Sequence, residues 1–169
     1  MTGTPLRTDG GIDVRQAVEE YQGMVYGIAL SRVGNQFDAD DIFQEVFLIY
    51  FKKGLTFRDE QHRKAWLIKT TLNCCKRLVF NSWRKKTEPL DASRGLSYNF
   101  VSREENLIFT ALRELPVKYR TVLHLFYIEE FKTEEIAGAL GISGAAVRTR
   151  LKRGRDMLRE KLKGEYDFE

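Results

Sequence analysis

Apolar residues recur at spacings of three and four along most of the chain and almost nowhere alternate, so helices are expected throughout. Val14, Val18, Tyr21, Val25 and Ile28 form a first stripe that runs to about Arg32, and Gly34-Asn35 breaks it. Asp38 is placed to cap a second helix, with Asp40 and Asp41 in its positive first turn. That helix carries Ile42, Phe43, Val46, Phe47, Tyr50 and Phe51, and it closes on Lys52-Lys53-Gly54, cations at the end the dipole favours. After a loop at Leu55–Glu60, a third helix runs from about Glu60 to Trp83. Its core face is Ala65, Ile68, Leu72, Cys75 and Val79, with Cys74 off that face. Its other face carries Trp66, Thr70, Asn73, Arg77, Phe80 and Arg84, flanked by Lys69 and Lys76.

Residues Thr87–Arg103 hold Pro89, Gly95 and several small polar residues and read as a linker. Fully extended, they reach on the order of 55–60 Å. Leu107, Ile108, Ala111, Leu112 and Leu115 then mark an amphipathic helix. Pro116 opens another, with Tyr119, Val122, Leu123, Phe126 and Tyr127 on its stripe. Thr133 is an N-cap candidate, followed by Glu134 and Glu135, and Ile136, Ala137 and Leu140 share one side of a short helix that Gly141 ends. Ser143 caps a last helix with Val147, Leu151, Gly154, Leu158 and Leu162 in a 3.6-residue stripe. A short helix, a Gly turn and a longer helix describe a helix-turn-helix, with Ala137 and Gly141 small enough to let the two helices approach. The expected fold is therefore all-α: two small helical domains, residues 1–86 and 104–169, joined by the linker 87–103, the C-terminal one a helix-turn-helix.

Charge sharpens this picture. The net +4 is modest, so its distribution carries the information. The second helix opens acidic, whereas the third and last helices are basic. Duplex DNA would repel the first and attract the other two, so the acidic helix points to a protein partner; simple capping is the plain alternative. On the last helix, Arg148, Thr149, Lys152, Arg153 and Arg155 lie outside the apolar stripe, where Arg and Lys can reach guanine edges in a major groove. On the third, aromatics among amides and cations suit single-stranded nucleic acid; alternatively Trp66 and Phe80 pack on neighbouring helices.

Other chemistries find little purchase. His62 and His124 fall in different units, and no His, Cys and carboxylate set has metal-ligand spacing. The only cysteines, Cys74 and Cys75, are adjacent and form no ordinary structural staple. No phosphate-binding glycine loop or nucleophile elbow occurs, so neither an enzyme nor a cofactor is expected. The opening MTGTPLRTDGG lacks a signal-peptide core and no apolar run spans a membrane, so the expected location is cytoplasmic, with no membrane insertion.

Three segments in order, DADDIFQEVFLIYF (38–51), the stretch 57–86 and the stretch 112–162, resemble bacterial RNA polymerase sigma factors of the sigma-70 family, extracytoplasmic-function group. The resemblance runs from about Val14 to Leu162. It implies that Asp38, Asp41, Gln44, Glu45 and Phe47 meet the clamp helices of core RNA polymerase. It places Phe57 and Arg58 in a loop that captures an extruded base of the −10 element, and Trp66, Lys69, Asn73 and Arg77 on or behind the strand-facing helix. Arg148, Thr149, Lys152, Arg153 and Arg155 would read the −35 element, and the same domain would contact the polymerase flap. Where the family segment after Asn73 commonly continues with a small residue and an Asp, this chain has Cys74-Cys75-Lys76-Arg77. Promoter DNA and an anti-sigma factor are the further implied partners. No module is expected beyond Lys163. Two rivals remain: a stand-alone helix-turn-helix repressor or activator, and a helical interaction protein without DNA activity.

Overall fold

The structure, a computed structural model, describes residues 13–84 and 103–166. The chain divides into two compact units, Met1–Leu90 and Asp91–Glu169. The linker reading at 87–102 and the N-terminal tail lie outside the described residues; Arg103 already opens a helix.

The first unit is three helices, α1 Val14–Val33, α2 Gln36–Lys53 and α3 Glu60–Arg84, each packed on the other two. Tyr21, Val25, Ile28, Ile42, Val46, Leu67, Ile68 and Leu72 fill its core. Asn35, not Asp38, caps α2: its Oδ1 accepts from the Asp38 N–H at 2.8 Å, and its Nδ2 donates to Asp38 Oδ2 at 2.7 Å. Asp38 is thus the third helical residue, and the short Asn side chain in extended backbone reaches it better than a residue already in the helix. The α3 core face is also redrawn. Cys74 is buried beside Cys75, Leu67 and Thr71 are buried, and Ala65 and Val79 face out. Two helices pack on α3, so its buried arc is wider than a single stripe. Phe51 of α2 likewise faces solvent.

The second unit holds α4 Arg103–Glu114, α5 Val117–Leu123, α6 Thr133–Leu140 and α7 Gly144–Tyr166. Arg120 Nη1 donates to the Arg113 carbonyl at 2.7 Å, closing the end of α4 that Pro116 interrupts. After α5 the chain widens into one π-helical turn, His124–Ile128, with the Glu129 N–H bonded to the His124 carbonyl at 3.2 Å. That turn holds an extra residue, so it shifts the phase of the stripe. Leu125 is buried where Tyr127 was expected, and Tyr127 and Ile128 swing outward.

The helix-turn-helix forms with two corrections. Thr133 is the first helical residue rather than the cap; Glu135 Oε2 instead accepts from the Lys132 N–H at 2.8 Å. Gly141 is required by its left-handed φ of 66°, not by close packing, since a Cβ there would meet nothing within 4 Å. The close approach is at Gly154, where a Cβ would lie 3.0 Å from Leu123 Cδ1 and 3.4 Å from Tyr119 Cβ. Ser143 does cap α7, its Oγ accepting from the Ala146 N–H at 3.1 Å.

Candidate polymerase and nucleic-acid interfaces

The outer face of α2 is built by spacing. Phe37, Asp41, Gln44, Leu48 and Phe51 stand at i, i+4, i+7, i+11 and i+14, and all are exposed. Phe37 is 70% exposed and Leu48 55%, unusual for large apolar side chains on one helix face. Of the five docking candidates, only Asp41 and Gln44 share this strip. Asp38 is engaged with Asn35. Phe47 is buried, its ring 5.0 Å from Phe43 and 6.5 Å from Tyr50. Glu45 turns to α3 and pairs with Arg77 Nη2 at 2.5 Å. Phe37 and Leu48 escaped the sequence reading because α2 is apolar on more than one side, which hides an outer stripe behind the inner one.

The loop before α3 is tied from within. Asp59 Oδ1 caps α3 by accepting from the His62 N–H at 2.8 Å, and His62 Nδ1 accepts from the Arg58 N–H at 3.3 Å. The Phe57 ring stacks on Tyr50 at 5.9 Å with planes 15° apart, meets His62 and Trp66 edge-on, and carries the Arg63 guanidinium at 5.3 Å. Phe57 and Trp66 are therefore half-buried pieces of one aromatic cluster, while Arg58 is exposed.

Along α3, Lys69, Asn73, Lys76 and Phe80 form an exposed strip at i, i+4, i+7 and i+11. Arg77 lies at its edge, bonded to Glu45 and, at 3.3 Å, to Cys74 Sγ. Burial pushes the Cys75 thiol up to about 12, and it also raises that of Cys74. Thiolate chemistry has no foothold there.

On α7, Arg148, Thr149, Lys152, Arg153 and Arg155 are all exposed, and Val147, Leu151 and Gly154 are buried on the opposite side. Arg155 Nη1 donates to the Tyr127 hydroxyl at 3.2 Å. The Arg153 guanidinium beside the Tyr119 phenol lowers its pKa. Among the described residues, no ion pair holds Arg148 or Lys152. Farther along α7, Ile108, Leu112, Leu123, Tyr127, Leu158 and Leu162 line an open apolar groove of about 620 Å³, with Arg155, Arg159 and Lys163 also in its lining. Tyr127, exposed at the end of the π turn, forms part of its lining. Among the described residues, no His, Cys, Asp and Glu cluster could hold a metal ion, and no helix is long and apolar enough to cross a membrane.

Residues 17–86 match Sigma-70 region 2, and residues 105–158 match Sigma-70, region 4. The chain is 30% identical over 166 residues to the ECF RNA polymerase sigma factor SigW of Bacillus subtilis, covering 86% of this chain and 87% of that protein. It is also 30% identical to RNA polymerase sigma factor SigV of the same organism, over 86% and 88% of the two chains. In fold it is similar to the sigma factor RpoE solved in complex with the anti-sigma factor NepR from Bartonella quintana. That likeness has a TM-score of 0.75 at 20% identity and spans 91% of this chain and 98% of that one. CnrH in complex with the cytosolic domain of CnrY is a second such likeness, at TM-score 0.63 and 24% identity over 89% and 88%. Two region matches in the right order and relatives alike over nearly their full length make one assignment: the chain belongs to the extracytoplasmic-function group of sigma-70 RNA polymerase sigma factors.

Proposed function

We propose that this chain is the promoter-specificity subunit of an RNA polymerase holoenzyme, with its outer α2 face docking on core enzyme, the α3 strip and its loop reading the −10 element, and α7 reading the −35 element. One observation carries the division of labour. The exposed α2 strip mixes Asp41 and Gln44 with Phe37, Leu48 and Phe51, a composition suited to a protein surface, whereas α3 and α7 expose cations. The groove beside α7, apolar with cations in its lining, is the surface for the polymerase flap. The subunit performs no catalysis of its own and works in the cytoplasm, where polymerase and promoter meet. An anti-sigma factor is a fitting regulator, since the RpoE to which the fold is similar was solved in complex with the anti-sigma factor NepR.

A stand-alone helix-turn-helix regulator accounts for 133–163 but gives no purpose to the α2 strip. Run-off transcription on a randomised promoter library separates the two. Transcripts that require both this chain and core polymerase, enriched in a two-part promoter, support the sigma reading. DNA binding that neither recruits core enzyme nor yields transcripts would overturn it.

A further inference from the structure

Arg63 is a charged side chain inside the first unit, 7% exposed. Its guanidinium lies over the Phe57 ring at 5.3 Å and against the phenols of Tyr21 and Tyr50, so it touches α1, α2 and the loop at once. Among the described residues, its Nε has no hydrogen-bond partner. An unneutralised cation here is costly: desolvating such a group takes several kcal/mol in real proteins, and neutral phenols repay only part of it. A side chain chosen for stability would be apolar. What a guanidinium gives that an apolar residue cannot is a directional hold on an aromatic face.

Phe57 is the chain's anchor for the loop. It is flanked by Tyr50, Trp66 and His62, and the next residue, Arg58, is exposed with its N–H bonded to His62 Nδ1. Fixing the ring fixes where the Arg58 side chain leaves the surface. We propose that Arg63 is a positioning residue for the −10-reading loop, setting the Phe57 ring and hence the direction of Arg58 from inside the core, without supporting the stability of the fold. This rests on the assignment of Phe57 and Arg58 to −10 reading.

The test compares Arg63→Met, Arg63→Lys and Phe57→Ala in the full chain. The probes are a single-stranded oligonucleotide and a duplex carrying the −10 and −35 sequences that wild-type holoenzyme selects from a randomised library, at one salt concentration. Arg63→Met leaves no buried charge unpaired, so its melting temperature stays at or above wild type. Its affinity for the −10 strand falls roughly two- to thirtyfold, the worth of a desolvated cation–π contact. Duplex and core-polymerase affinities stay unchanged, and Arg63→Lys recovers part of the loss. If Arg63→Met melts more than about 5 °C lower, Arg63 is a stability element and the proposal fails. Wild-type strand affinity in Arg63→Met, with Phe57→Ala impaired, overturns the proposal alone. Wild-type strand affinity in Phe57→Ala overturns the loop assignment and the proposal together.

Discussion

Cys74 and Cys75 show what a single residue's surroundings decide. Both are about 1% exposed, and the Cys75 thiol sits near 12, so at pH 8 about one molecule in ten thousand carries that thiolate. Neither should react with a disulfide reagent such as DTNB in the folded protein, and both should on adding denaturant; rapid labelling of the native chain would contradict their placement. The linkage sign follows from the raised value. The folded state holds the Cys75 proton more tightly than the unfolded chain, whose thiol titrates near 8.5. The contribution is complete below that pH and is lost as pH rises toward 12, at about 1.4 kcal/mol per unit. Cys75→Ala should flatten that alkaline decline. At Gly141 and Gly154, the expected outcomes differ in cause. Gly141→Val should cost about 1–2 kcal/mol or more through left-handed backbone strain, and Gly154→Ile about 1–3 kcal/mol through the clash with Leu123, both measured by urea unfolding. The left-handed turn was legible because Gly141 follows a helical stripe and Ser143 follows Gly141, a purely local signal. The approach at Gly154 was not, because it depends on Leu123 and Tyr119, some thirty residues away.

At the scale of helices, the inner stripes of α1 and α7 were legible in part: Tyr21, Val25 and Ile28, and Val147, Leu151 and Gly154, are buried as their periodicity indicates, whereas Val14, Val18, Leu158 and Leu162 are half-buried. The π turn defeated the reading of the segment after α5, since nothing in the sequence marks where one extra residue enters a turn, and that put Tyr127 inside on paper and outside in the fold. The outer strip of α2 and the inward turn of Glu45 were hidden for a related reason: which face of a helix apolar on more than one side stays bare is settled by its neighbours. The bare face makes a prediction. Leu48→Ala with Phe51→Ala should leave stability within about 0.5 kcal/mol, as both side chains are about half exposed, while weakening core-polymerase binding by roughly tenfold or more. An unchanged titration would move docking elsewhere. The Glu45–Arg77 pair gives another. An exposed pair is worth about 0–1 kcal/mol, so Glu45→Gln should raise the free chain's affinity for −10 single strand by up to about fivefold, by freeing Arg77. In a background of Arg77→Ala the same change should do nothing, and a gain that persists there would rule out the pair as its source.

For the molecule as a whole, two helical units and a helix-turn-helix were readable from the order of stripes, breaks and charge, whereas the side chains that reach partners depended on packing no local pattern records. The division into two reading surfaces is testable across the units. Arg148→Ala should weaken binding to the −35 duplex by roughly 5- to 150-fold and leave −10 strand binding intact, while Asn73→Ala should do the reverse, as followed by fluorescence anisotropy at fixed salt. Equal loss on both probes would mean that the surfaces are not separate. The arrangement of α7 carries one more implication. Its buried positions, Val147, Leu151 and Gly154, hold the second unit together, and its exposed positions, Arg148, Thr149 and Lys152, take no part in that core. Exchanges at the exposed set therefore cost about 0.5 kcal/mol or less in stability. If α7 reads the −35 element as proposed, selection could rewrite which promoters this chain serves one side chain at a time, through intermediates that all still fold, and duplicated copies could diverge to new target genes without first acquiring a compensating change in the interior.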